Sequence, residues 1–279
     1  MNSMAKSESS SRIVTSVVAV ISAAALAVSL IAAGFAACAV PDVSTKALAS
    51  VYSTDGASPF TKDELVAAAV QTKHYTIDDN DKAAVYATIA AINAQEALAG
   101  TAGKGAPKID ATANYAAGEL SGEQVAALEA AFDAASERYV LTPDAVSHLD
   151  DVFGVVQAAK WWLLAAVVAA CVGCTATAFR GGKRLLGRVL AGAGVFVLAV
   201  FALLAAWVAI DFDGFFAQFH SLFFAAGTWT FSWDSLLICM YPPEFWVGMG
   251  AIWLVVTVAC CVVCITIGRL LRKGSTQKR

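Results

Sequence analysis

Two of the three histidines in this 279-residue chain have neighbours that could support proton transfer. His148 precedes Asp151 by three positions, so the two side chains share one face of a helix. A carboxylate in that position can accept a hydrogen bond from one ring nitrogen and raise the basicity of the other. The spacing therefore predicts an oriented general base. The alternative is a surface histidine in an ordinary helix pair.

His220 is the second candidate, and it lies in a strongly aromatic segment. Five phenylalanines flank it between positions 215 and 224, and Asp211 and Asp213 precede it. A polar ring in such surroundings is costly unless it has a purpose. Asp213 lies seven positions before His220, which returns to the same helix face and makes it a candidate partner. The alternative is an aromatic belt that only anchors the protein at a membrane interface.

Further candidate side chains follow in residues 211–246. This segment is too polar to span a membrane and too aromatic for a free loop, so we expect an interfacial or re-entrant segment at headgroup depth. Trp229, Asp234 and Glu244 are its candidate supporting residues.

The histidines and the seven cysteines do not predict a metal or redox site. His-x-x-Asp is a weak ligand pattern beside His-Glu-x-x-His, which the sequence lacks. Two Cys-x-x-Cys pairs, beginning at Cys171 and Cys261, lie in apolar stretches and are expected to act as small hydrophobic residues. We expect no metal and no cofactor. Cys38 follows a weak lipoprotein-type cleavage box, but the apolar stretch before it is too long for a cleaved signal and favours an anchor.

The elements that position these residues are expected to cross a membrane. Hydrophobic residues make up 58% of the chain and charged residues 15%, whereas soluble domains are about one quarter charged. The net charge is −3 and no basic run could follow a nucleic-acid backbone, which argues against nucleic acid as a partner. We predict an all-α, polytopic membrane protein with four transmembrane helices, at residues 13–40, 158–179, 187–210 and 247–268.

Lys and Arg predict how the chain is oriented in the membrane. Both terminal tails (1–12 and 269–279) and the short loop at 180–186 are basic, whereas residues 211–246 contain no Lys or Arg. The positive-inside rule therefore predicts cytoplasmic termini, with residues 41–157 and 211–246 outside the cell. The spans carry no ionisable residue at mid-membrane, which disfavours a transporter.

The first outward segment, residues 41–157, is predicted to be a helical domain. Thr61–Glu64 and Ser121–Gln124 have capping-box spacing, and the second box should open a helix to about Arg138. Residues 80–98 have apolar side chains at helical spacing.

This domain also contains a helix-start signal near its end and a glycine-rich segment in its middle. Thr142 and Pro143 place a cap and a proline at the start of a helix that can run into the second span. Residues 100–122 hold five glycines and a proline, and they are predicted to be a flexible insert or linker.

The sequence around the two histidines resembles the bacterial four-span membrane proteins that include lipoprotein intramolecular transacylase. The resemblance rests on His148-Leu-Asp-Asp-Val152 before the second span and on Phe219-His220-Ser-Leu-Phe-Phe224 after the third. Trp229, Asp234-Ser-Leu-Leu-Ile238 and Pro-Pro-Glu-Phe-Trp246 strengthen it. In one place the chain departs from the family, whose active members carry an Asn-Asp pair ahead of the tryptophan where this chain reads Ala226-Gly227-Thr228.

The resemblance implies transfer of one ester-linked acyl chain from the diacylglyceryl cysteine of a lipoprotein to that cysteine's own α-amine. A diacylated lipoprotein and membrane lipid would be the partners. Because amine and ester belong to one molecule, no enzyme nucleophile is required, and the sequence has no Gly-x-Ser-x-Gly elbow. The resemblance implies His148 as the base, oriented by Asp151, and His220 as the acid or oxyanion donor. The reverse assignment of the two histidines stays open.

A second hypothesis is a non-enzymatic integral membrane protein whose outward helical domain binds a partner. It predicts that both histidines can be replaced without loss of function. Under either hypothesis, His74 is not expected to take part in catalysis.

Overall fold

The computed structural model describes residues 2–115 and 120–274. Met1, residues 116–119 of the predicted insert and residues 275–279 of the predicted basic tail lie outside the described residues. The described residues contain no strand, which confirms the all-α fold class. The helices are α1 (Asn2–Ala39), α2 (Asp42–Tyr52), α3 (Lys62–Ile77), α4 (Lys82–Ala99), α5 (Gly122–Asp133), α6 (Pro143–Ile210), α7 (Phe212–Ser221), α8 (Leu236–Met240) and α9 (Pro243–Gly274).

The chain divides into two compact units. The first, here called the membrane unit, comprises residues 1–37, 159–215 and 251–279. The second, here called the histidine unit, comprises residues 38–158 and 216–250 and holds all three histidines.

Among the described residues, three helices are long and apolar enough to cross a membrane: Ser9–Ala39, Pro143–Ile210 and Pro243–Gly274. Helix α6 contains both the second and the third predicted spans. Its backbone departs from helical geometry at Gly182, where φ is 72° and ψ is 178°. Glycine adopts this conformation without the steric cost that a Cβ imposes, so the break falls where the sequence permits it.

Within the membrane unit, α1 contacts α6 on both sides of this break. Ser22 Oγ lies 3.3 Å from Thr177 Oγ1, which precedes Gly182. After the break, Val197 packs in a buried cluster with Ala27 and Leu30 of α1. The small residues at these contacts allow helix backbones to approach closely, as is common between membrane helices.

The histidine unit has a core of large apolar side chains drawn from most of its helices. The largest fully buried members include Tyr75, Phe60, Phe132, Phe245, Leu65, Ile89, Leu141, Leu236 and Met240. Their burial in one connected cluster is the main source of stability available to this unit.

The helix starts in the histidine unit follow the predicted signals. Both capping boxes form: the side chains of Thr61 and Ser121 each accept a hydrogen bond from the N3 backbone N–H, and their own backbone N–H groups donate to the N3 side chain. At the start of α6, Thr142 Oγ1 accepts a hydrogen bond from the backbone N–H of Ala145 at 3.3 Å. The helix then continues without interruption from Pro143 into the second predicted span, as expected.

One predicted helix boundary is wrong. Helix α5 ends at Asp133 rather than near Arg138. The chain turns here because the backbone N–H of Ser136 donates to the carbonyl of Gly105 at 2.8 Å instead of continuing the helical ladder. Tertiary hydrogen bonding has overridden the local helical pattern.

The described part of the glycine-rich segment is irregular but makes specific contacts. Gly100, with φ of 73°, ends α4 in the left-handed conformation. The backbone N–H of Gly103 donates to the hydroxyl of Tyr139 at 3.0 Å, and Tyr115 is buried against the core. These contacts anchor the segment to the histidine unit on both sides of its middle.

Candidate active site

The structure brings the two candidate histidines together within the histidine unit. His148 lies in the second turn of α6, and His220 lies in the last turn of α7. Their ring centroids are 6.2 Å apart and their planes differ by 29°. The two histidines that the motifs singled out therefore lie side by side in the fold.

A shell of aromatic side chains surrounds the pair. His148 packs edge-on against Phe224 at 4.9 Å, while His220 lies 4.0 Å from Phe216 and 4.9 Å from Trp229, measured between ring centroids. We refer to the following residues as the aromatic shell: Phe216, Phe219, Phe224, Trp229 and Phe231. It gives both imidazoles apolar surroundings, which disfavour their charged forms.

His148 is the more deeply buried of the two histidines, with 8% of its surface exposed. Burial is the main reason why its pKa falls to about 4, with His220 lowering it further and Asp151 opposing the shift. Its Nδ1 is buried and has no hydrogen-bond partner among the described residues. His148 is therefore a neutral ring at physiological pH with one nitrogen free for a ligand.

His220 has a defined tautomer. Its Nδ1 lies 2.8 Å from the carbonyl oxygen of Phe216. A carbonyl can only accept, so Nδ1 carries the proton and, in the neutral ring, Nε2 has a free lone pair. Burial lowers the pKa of His220, and the bond to Phe216 opposes this effect. Nε2 of His220 is thus prepared to accept a proton.

Trp229 joins the pair from a tight turn. Gly227, with φ of 88°, lies in that turn, and the hydroxyl of Thr228 donates to the carbonyl of Ala225 at 2.9 Å. Gly227 falls within the stretch where the family pattern has Asn-Asp, and Asn and Asp are the other residues that tolerate positive φ. The indole Nε1 of Trp229 is buried and has no partner among the described residues.

Asp151 does not form the predicted hydrogen bond with His148 Nδ1. Its side chain is exposed, and it acts on His148 only through space by raising the pKa of that ring. The neighbouring Asp150 is the residue held in place, because it accepts hydrogen bonds from the Tyr75 hydroxyl and from Asn80 Nδ2. These bonds fix the start of α6 to the end of α3, and no sequence signal connects residues so far apart.

The other candidate residues lie apart from the ring pair. Asp234 faces Arg138, with its Oδ2 3.4 Å from Nε, and Glu244 is exposed in the first turn of α9. Within the described residues, neither carboxylate forms a hydrogen bond or ion pair with a histidine. Asp213 lies in the first turn of α7 and belongs to the membrane unit, so its predicted role stays a prediction.

Sequence reasoning missed a second cluster, built around His74. Asp42 Oδ1 lies 3.1 Å from His74 Nε2, and Asp78 Oδ2 lies 3.3 Å from His74 Nδ1. The buried Lys73 Nζ contacts the same two carboxylates at 3.2 and 2.9 Å and the carbonyl of Val40 at 2.6 Å. Burial raises the pKa of Asp42, but hydrogen bonds from Lys73 and His74 outweigh this effect and hold the pKa below its usual value. We call Asp42, Lys73, His74 and Asp78 the charged cluster.

Two other kinds of chemistry, attack by a cysteine thiol and metal binding, have little support among the described residues. Cys239 is buried, and burial, reinforced by Asp234, raises the pKa of its thiol to about 11, so it is not a ready nucleophile. Within the described residues, no group of three or more His, Cys, Asp or Glu side chains could hold a metal ion.

The fold and the site define an all-α integral membrane protein with a neutral histidine pair in an aromatic shell. The model of the family described as lipoprotein intramolecular transacylase Lit matches residues 114–246. This segment contains His148, His220 and Trp229, and the match confirms the resemblance that the motifs indicated.

Solved structures of one such protein share the fold. The membrane integral lipoprotein intramolecular transacylase Lit from Bacillus cereus has a TM-score of 0.61 and 15% identity, over 95% of this chain and 98% of that one. A form of it with one histidine replaced by alanine has a TM-score of 0.64 and 14% identity, over 99% and 100% of the two chains. A form with a histidine-to-arginine replacement has a TM-score of 0.58 and 15% identity, over 100% and 99%. No curated protein matches the sequence.

Proposed function

We propose that this chain is a lipoprotein intramolecular transacylase of a bacterial cytoplasmic membrane. Its substrate is a diacylated lipoprotein, and it moves one ester-linked acyl chain to the α-amine of the same cysteine. The observation that carries the proposal is the pair of neutral histidine rings 6.2 Å apart, inside the segment that matches the family. Membrane lipid is the second partner, because the chain is an integral membrane protein.

His220 is the better general base of the two. The Phe216 carbonyl holds the proton on Nδ1, which leaves Nε2 to take a proton from the attacking amine. The nitrogen–carbon bond forms, the ester carbon–oxygen bond breaks, and Nε2 returns the proton to the departing glyceryl oxygen. This assignment reverses the one that the family resemblance first implied. His148 contributes as a neutral ring whose unpartnered Nδ1 can hydrogen-bond the substrate.

The aromatic shell also affects the protonation of the substrate amine. Desolvation disfavours an ammonium group as it disfavours an imidazolium, so an amine entering the shell loses its proton more readily. Because amine and ester belong to the same molecule, holding them together replaces a bimolecular encounter. The raised pKa of Cys239 is compatible with a route that uses no protein nucleophile.

Four spans, with the site on the outer face, complete the proposal. Thr177 and Val197 are separated by 20 positions, roughly 30 Å of straight helix, yet they pack near Ser22 and Leu30, which are roughly 12 Å apart along α1. A reversal of the chain at Gly182 accounts for both contacts and divides α6 into two spans. The basic residues around the break and in both tails then favour cytoplasmic termini.

Expression in a bacterium that lacks the transacylase tests the proposal. We expect lipoproteins with one N-linked and one ester-linked chain, detected by mass spectrometry of lipopeptides, and none with the empty vector. Protein that is made and inserted but gives no such product would overturn the proposal. The non-enzymatic, partner-binding hypothesis would then take its place.

A further inference from the structure

Two buried polar atoms flank His220 with their hydrogen-bonding capacity unused. Buried polar groups are nearly always hydrogen-bonded, so each exception calls for an explanation. In the described part of the histidine unit, the buried side-chain atoms without a partner are Asn93 Oδ1, His148 Nδ1 and Trp229 Nε1. Asn93 still donates twice through its amide nitrogen, to the carbonyls of Ile89 and Tyr139. The other two belong to rings that both stack near His220.

A nearby indole shows how a structural tryptophan behaves in this unit. Trp246 also approaches Phe216, with ring centroids 6.4 Å apart, compared with 6.3 Å for Trp229. The Nε1 of Trp246 donates to the carbonyl of Tyr241 at 3.2 Å, whereas that of Trp229 donates to nothing described. The contrast indicates that the Trp229 N–H is kept for a group outside the chain.

We propose that the Trp229 Nε1–H donates a hydrogen bond to the carbonyl oxygen of the ester that is transferred. This inference rests on the proposed transacylase function. As the amine nitrogen bonds to the carbonyl carbon, the π pair moves onto oxygen, and the indole N–H stabilises that negative charge. When the pair re-forms the carbonyl, the bond to the glyceryl oxygen breaks, and that oxygen takes the proton held by His220. The indole keeps its own proton throughout.

The position and chemistry of Trp229 suit this role. An oxyanion donor must approach the same reacting atoms as the base, and the Trp229 ring lies 4.9 Å from the His220 ring at an angle of 31°. An indole nitrogen can only donate and does not titrate near neutral pH, so it offers a hydrogen bond in every state of the reaction. In low-dielectric surroundings such a donor is worth more than in water.

The test replaces the N–H while keeping an aromatic ring. Trp229→Phe should reduce kcat about 10²–10³-fold with little change in KM, since one oxyanion donor contributes about that much. The assay uses purified protein in detergent with a synthetic diacylglyceryl-cysteine lipopeptide, and mass spectrometry quantifies the N-acylated product. Trp246→Phe is the matched control, and its kcat should stay within about threefold of the unmodified protein, because its N–H serves the backbone.

A second replacement guards against misfolding. Benzothienylalanine at position 229 exchanges the N–H for sulfur in a ring of nearly the same shape, and it should show the same loss of kcat. A loss of less than tenfold in either position-229 variant, with active unmodified protein, would overturn the role of Trp229 and leave the transacylase proposal standing. If the unmodified protein gives no product, both proposals fall.

Discussion

The histidine unit contains two histidine sites, the charged cluster with His74 and the ring pair of His148 and His220, and they use their polar atoms in opposite ways. In the charged cluster, both nitrogens of His74 face carboxylates, and the buried Lys73 makes three contacts. At the ring pair, by contrast, His148 Nδ1 has no partner among the described residues. The neighbours of this ring are aromatic side chains such as Phe224 instead of carboxylates. A histidine whose hydrogen bonds are all satisfied holds the fold together, whereas one with unused capacity in a dry shell is available to a substrate.

The charged cluster and the ring pair also differ in how charge is accommodated. The carboxylates of the charged cluster are partly exposed and lie against the Lys73 ammonium group and the His74 ring, so the cluster is compatible with water. The ring pair has no ion pair among the described residues and relies on burial to keep both rings neutral. The predictions below replace residues in one group and use the other as the reference.

Replacing His148 should separate the two groups most clearly in catalytic activity. His148→Phe keeps an aromatic ring in the shell but removes the Nδ1 that is proposed to hydrogen-bond the substrate, and we expect turnover of the lipopeptide to fall about 10²-fold. His74→Ala should leave turnover within about threefold, because its partners also contact Lys73. Equal losses in the two variants, measured per folded molecule, would erase the distinction between the groups.

The next effect is on stability and should be confined to the charged cluster. Lys73→Met leaves two carboxylates without their buried cation, and we expect a loss of about 3 kcal/mol in the free energy of unfolding, with activity per folded molecule unchanged. Lys82→Met is the control, since its Nζ lies 3.5 Å from Glu129 in an exposed pair and should cost less than about 1 kcal/mol. Denaturant titration in detergent compares them. Similar losses would contradict the structural role of Lys73.

Acid should destabilise the folded protein through the ring pair, because His148 is buried in its neutral form. Because the pKa of folded His148 is lowered to about 4, between pH 6.5 and 5 the unfolded chain takes up a proton on this residue and the folded chain does not. Stability therefore falls as the pH falls, by about 2 kcal/mol over that interval. His148→Phe removes this contribution, so its unfolding free energy should decline less from pH 7 to pH 5. Parallel declines in the two proteins would show that His148 is not buried in the neutral form.

The smallest effect should come from Asp151. Its carboxylate is exposed and only raises the pKa of His148 through space, so Asp151→Asn should change turnover by no more than about threefold. A loss approaching that of His148→Phe would restore Asp151 as a direct partner of the ring. Turnover of the lipopeptide under identical conditions distinguishes the outcomes.

Local patterns in the sequence predicted the features that depend on nearby residues. Helix starts at Thr61 and Ser121 follow from capping chemistry within four residues, and the apolar stretches follow from composition. The motifs around His148 and His220 also pointed to one site, because the family resemblance linked two segments that the fold brings together.

The remaining features depend on contacts that no local pattern contains. The early end of α5, the link from Tyr75 to Asp150 and the charged cluster all join distant residues. The tautomer of His220 depends on a backbone carbonyl one turn away and on a side-chain rotamer, neither of which residue types specify. For this reason the proposed assignment of base and donor rests on the geometry of the rings and not on residue types.

The rate of acyl transfer in His220→Ala, compared with unmodified protein and His74→Ala, tests the central claim most directly. Each purified protein is incubated with the diacylglyceryl-cysteine lipopeptide, and mass spectrometry locates the acyl chain over time. We predict that the unmodified protein and His74→Ala form the N-acylated product at similar rates. His220→Ala should be slower by about 10²–10⁴-fold, as expected for loss of the general base. Product formation by His220→Ala at the unmodified rate would contradict the claim that this histidine pair is the catalytic site.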